Sequence, residues 1–67
     1  MTTDKLKIIA ADYIHQEFDD PTVMTDEPAT AELHGRTYHY VLVTADTAKY
    51  GVTLSEDGEV TDCQVLA

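Results

Sequence analysis

The sequence predicts an α+β domain: one N-terminal helix packed on a four-stranded antiparallel meander, in the order α-β-β-β-β. Three observations carry this expectation. Residues 4–18 hold a single apolar stripe at helical spacing. From Ala29 onward the apolar period drops to two. The breaks "HG", "DT" and "SEDG" between the period-two runs have turn chemistry and are short enough to make neighbouring strands antiparallel.

In "DKLKIIAADYIHQEF" the stripe consists of Leu6, Ile9, Ala10, Tyr13, Ile14 and Phe18, widened by Ile8 and Ala11. Thr2 or Thr3 supplies an N-cap, and Asp4 in the first turn suits the positive end of the helix dipole. "DDP" stops the helix, because Pro21 disfavours helical geometry at Asp20. Residues 19–30, "DDPTVMTDEPAT", read as a connector whose apolar pair, Val23 and Met24, is expected to dock somewhere. Four strands follow at 29–33, 36–45, 48–54 and 59–66.

Turn lengths set the expected register. A two-residue Asp46-Thr47 loop puts Val43 opposite Tyr50, Val41 opposite Val52 and His39 opposite Leu54. A four-residue Ser55–Gly58 loop puts Val52 opposite Thr61 and Tyr50 opposite Cys63. One face then collects Val41, Val43, Tyr50, Val52, Leu54, Cys63 and Val65, and is assigned to the helix as the core. The other carries Tyr38, Tyr40 and Leu42, joined by Ala29, Ala31 and Leu33 if "HG" is a two-residue turn. Gly51 falls on this second face, across from Leu42, where a strand glycine marks a bulge or the close approach of another group.

Sixty-seven residues make a single domain, 1–67, in which a core forms with little margin. The one cysteine, Cys63, excludes an internal disulfide framework and fits a reducing cytoplasm. The N-terminal stretch is interrupted by Asp4, Lys7 and Asp12, so neither a signal peptide nor a membrane span is expected there. Thirteen acidic residues against four basic ones give a net charge of −9. That balance disfavours direct nucleic-acid binding and anionic membranes, since there is little Lys or Arg to replace condensed counterions.

Motifs that carry chemistry are missing. His15, His34 and His39 lack the spacing that brings two imidazoles to one metal. "SEDGEVTD" offers carboxylates but not the D-x-[DN]-x-[DN]-G calcium pattern. Cys63 is expected to point into the core, without the electropositive company a thiolate needs. Gly35, Gly51 and Gly58 are too dispersed to cradle a phosphate. No catalytic, metal or cofactor site is expected, and the chain is read as non-enzymatic.

The final stretch "YGVTLSEDGEV" looks like the closing hairpin of PepSY-type domains, a strand, an acidic turn with Gly, then a strand. The likeness covers the last third of the chain and rests on common turn chemistry. It implies a module that restrains a peptidase or acts as a sensor, in an extracytoplasmic setting, and it carries over no functional residue. The residues themselves point to a cytoplasmic interaction module. Its candidate surface is Leu33, Tyr38, Tyr40, Leu42 and Gly51, and its partner is another protein or a second copy of the chain. The alternative is an acidic decoy that imitates nucleic acid and binds a basic protein.

Overall fold

A computed structural model describes residues 2–67. Its first element is a helix, α1 (Thr3–Phe18), with Thr2 as N-cap accepting the Lys5 N–H at 3.2 Å. Leu6, Ala10 and Ile14 are buried, and Ile9 and Tyr13 pack beside them. Ile8 does not widen the stripe: it lies about 200° around the helix from both Leu6 and Ala10 and is exposed. At the C-terminus Asp19 takes the left-handed conformation (φ 50°), which turns the chain out of the helix before Pro21.

Five strands follow: β1 (Thr22–Thr25), β2 (Ala29–Leu33), β3 (Arg36–Ala45), β4 (Lys49–Ser55) and β5 (Val60–Val65). All belong to one antiparallel sheet, and β2 to β5 form the expected meander. The fifth strand, β1, arises within the stretch read as a connector. It pairs with the Val43–Ala45 end of β3, while β2 pairs with the Arg36–Tyr40 end. Thus β1 and β2 are two lengths along one side of β3, separated by Asp26–Pro28. Val23 sits at a bulge in β1 and Met24 faces Thr44, so this pair lies in the plane of the sheet instead of folding over it. The ten residues of β3 needed partners along their whole length, and four residues between two prolines were enough to supply them.

Two of the three turns give the expected register. His34 (φ 53°) and Gly35 (φ 75°) form a tight turn with both central residues at positive φ, setting Leu33 opposite Arg36. Asp46-Thr47 closes the next hairpin, with Val43 opposite Tyr50, Val41 opposite Val52 and His39 opposite Leu54. The last hairpin differs. Its loop is Glu56–Gly58, with Gly58 at φ 87° and the Ser55 N–H donating to the Glu59 carbonyl at 2.7 Å. A register shift beyond Leu54 then puts Val52 opposite Cys63 and Tyr50 opposite Val65. The pairing therefore moves by two residues from expectation. A shift of two preserves side-chain facing, so the residues assigned to each face stay there.

The helix packs on β3, β1 and β4. Beneath it Val41, Val43, Ala45, Tyr50, Val52 and Leu54 complete the buried core. The helix does not reach over the outer end of β5: Cys63 is only partly buried, and Val65, on the core side by alternation, is 62% exposed. An ion pair between Lys7 and Glu27 (2.6 Å) joins the helix to the break between β1 and β2. No helix among the described residues is long and apolar enough to cross a membrane.

Candidate functional site

The site starts from alternation along β3. Val41 and Val43 point to the helix, so Tyr38, Tyr40, Leu42 and Thr44 point the other way. Cross-strand pairing adds Ala29 opposite Tyr40 and Ala31 opposite Tyr38 on one side, and Gly51 opposite Leu42 on the other. Met24, opposite Thr44, extends the row, and Leu66, whose N–H donates to the Lys49 carbonyl (2.8 Å), continues it. All five residues singled out from the sequence, Leu33, Tyr38, Tyr40, Leu42 and Gly51, therefore lie on one side of the sheet.

No element among the described residues covers this side. Leu33 is 59% and Leu42 39% exposed, and Met24 and Leu66 are exposed as well. A shallow hollow of about 310 Å³ runs between Ala29, Ala31, Leu33, Tyr38, Tyr40 and Thr53. Within it Tyr40 and Gly51 are coupled. A Cβ on Gly51 would overlap the Tyr40 hydroxyl and lie 2.7 Å from its Cζ. The Tyr40 ring is thus laid across β4, in the space the glycine leaves. The group that approaches Gly51 belongs to the chain itself, and its effect is to keep the middle of the face low and flat.

The charge distribution sets this face apart. Of four basic residues, Arg36 and Lys49 stand on it by register. Of thirteen acids, register places Asp62 within it, Glu59 at its hairpin corner and Asp26 at its β1 end, where the Asp26 N–H donates to the Leu42 carbonyl (3.0 Å). The rest belong to the helix, the Asp19–Glu27 stretch, the helix-side position Glu32 and the turns at 46 and 56–57. A protein of net charge −9 thus has one face that is nearly balanced.

Sequence reasoning missed the buried Asp20, 2% exposed beside the helix terminus. Its carboxylate accepts from the Thr47 N–H (3.0 Å), the Thr47 hydroxyl (2.6 Å) and the Tyr50 hydroxyl (2.9 Å). The Thr47 hydrogen bonds hold this carboxyl below its ordinary range against the opposing effect of burial. Burial and the adjacent Asp20 carboxylate push the Tyr50 phenol up. Phe18 packs its ring against Tyr50 with centroids 4.7 Å apart. Here the carboxylate works as a structural pin between the helix exit and the 46–47 turn, with every oxygen engaged. The only local hint was a helix stop immediately before an acid, and both partners lie more than 25 positions away.

The remaining chemistry-bearing side chains are dispersed. His39 Nδ1 meets Thr30 Oγ1 at 3.1 Å. Among the described residues no group of three or more His, Cys, Asp or Glu side chains converges as a metal site requires. Burial, reinforced by Asp62, pushes the Cys63 thiol up, which keeps it protonated and a poor nucleophile. In the "SEDG" hairpin the Ser55 hydroxyl accepts the Glu59 N–H (3.2 Å), a turn contact. The chain matches no family model, no curated protein and no solved structure.

Proposed function

We propose that this protein is a small, non-enzymatic interaction module that binds another protein, or its own copy, through the open sheet face around Tyr38, Tyr40 and Leu42. The observation that carries this reading is the exposed apolar row from Leu33 through Leu42 to Met24 on a face that bears little net charge. Tyrosines with apolar rings and polar tips suit such a surface, and an apolar centre with charged margins is the usual anatomy of a protein interface. The decoy alternative requires acids gathered in one regular stripe, and here they are divided among helix, connector and turns. A protonated Cys63 and dispersed histidines support the non-enzymatic assignment, and a single free cysteine suits a reducing, cytoplasmic setting.

The test is capture from native cell extract with the chain and its Leu42→Lys variant as baits, at low and high salt. A protein retained by the former, lost by the variant and insensitive to salt supports the proposal. Equal capture by both baits overturns it, and capture that high salt abolishes favours the decoy.

A further inference from the structure

We infer that the occupant of the open face is a second copy of this chain, the two sheets stacking face to face with the helices outermost. This inference deepens the interaction reading above and rests on it. Three features of the molecule identify the occupant.

Charge is the first. Any face bearing the chain's average charge repels a second copy of net charge −9. The open face is where that repulsion falls away: Arg36 and Lys49 lie toward opposite ends of it, with Asp62 and Glu59 on its β5 side and Asp26 at its β1 end. In a two-fold arrangement the basic margins of one copy can meet the acidic margin of the other, since an isologous contact uses the same patch twice. A basic partner would find its complement on the helix side and the connector instead.

Shape is the second. Aligned sheets stack about 10 Å apart, which requires a surface without tall central obstacles. Tyr40 lies across β4 over Gly51, so its ring adds breadth in place of height. The exposed leucines, Leu33 and Leu42, are then free to interdigitate with their symmetry mates, and the hollow beside Tyr38 and Tyr40 can receive a leucine side chain.

Area is the third. Four strands at about 4.8 Å spacing and roughly nine residues of β3 at about 3.3 Å each outline a face of about 500 Å² per copy. Two such faces together bury about 1,000 Å², the lower bound for a specific interface and typical of a reversible dimer. Stacking also gives the sheet what a two-sided apolar sheet requires, a layer against each surface.

Sedimentation equilibrium of the full chain, at concentrations spanning about 1–500 μM, decides the matter. The expected result is a self-association from 7.4 kDa to twice that mass, with an affinity in the micromolar range. Raising salt from about 20 to 500 mM should tighten it several-fold, because screening relieves repulsion between two acidic bodies. Leu42→Lys and the more exposed Leu33→Lys should each weaken it at least tenfold. Both reduce the net negative charge, so loss of association cannot be ascribed to added repulsion. Circular dichroism and a cooperative melt verify that at least the Leu33 variant is folded. Val65→Lys, on the other side of the sheet, should leave the dimer intact. A species that stays monomeric throughout the range overturns the inference, while Leu42-dependent capture of a different protein would leave the wider interaction reading standing. A dimer that survives both leucine variants, or that Val65→Lys dissolves, also overturns it.

Discussion

On the helix side of the sheet Val41, Val43, Val52 and Leu54 are enclosed, while Leu42, one residue along β3, and Leu33 on β2 stand in solvent. Both sets are aliphatic and both are placed by the same alternation. The difference lies in what is available to cover them. A sixteen-residue helix covers most of one side of a sheet this size, short of the outer end of β5, and nothing in the described chain is left for the other. Apolarity at a strand position therefore does not fix burial by itself: whether it is buried in the monomer depends on which of the chain's own elements can cover it.

The strongest way to break the comparison is to hollow the covered side. Leu54→Ala should cost about 2–5 kcal/mol by lost contacts and residual cavity. That is a large share of the roughly 3–10 kcal/mol expected of a chain this short, and urea unfolding would show it as a collapse of the midpoint.

Asp20 tests how the covered side is anchored. Asp20→Asn should lower the melting temperature at neutral pH by on the order of 5–10 °C, because an amide accepts less strongly where Thr47 and Tyr50 both donate. The pH dependence has a definite sign. The Asp20 carboxyl is depressed below its ordinary value of 3.8, so its stabilisation is full above that value and is lost as pH falls through the depressed one. Tyr50 is raised above its ordinary value of 10.0, so its contribution is full below that value and is lost as pH rises through the raised one. Melting curves across pH should show a plateau between these limits, and the Asn variant should lack the acid-side decline.

Gly51→Ala sharpens the comparison from the open side. The methyl displaces the end of the Tyr40 ring, which has solvent to move into, so stability should change by less than about 1 kcal/mol. The Tyr40 ring resonances in an NMR spectrum should shift, and self-association should weaken. A large loss of stability would mean that the open face also holds the monomer together.

Much of this was legible in the sequence, for local reasons. Helix α1 is specified by its own stripe and caps, and the His34-Gly35 and Asp46-Thr47 turns fix register through their length. The open face and its five residues follow from those two turns alone. What could not be read depends on distant partners. Strand β1 has no pattern of its own and exists because β3 extends past β2. The β5 register hinges on Gly58 shortening the loop and on one unpaired residue after Val60. The pin at Asp20 joins residues that meet only once the helix has docked.

The interrupted border made by β1 and β2 has a consequence for solubility. An open-ended β-fibre grows only if each copy offers strand edges on two opposite sides. Here one side is four residues with a bulge, then Asp26, Glu27 and Pro28, then five residues carrying Glu32. Proline has no N–H to donate there, and the carboxylates repel an incoming strand. The opposite border, β5, is one strand from Val60 to Val65, with a single unpaired residue after Val60. Edge pairing on its own would therefore end at two chains joined through β5, because the other rim of the sheet offers no continuous strand edge to extend a fibre.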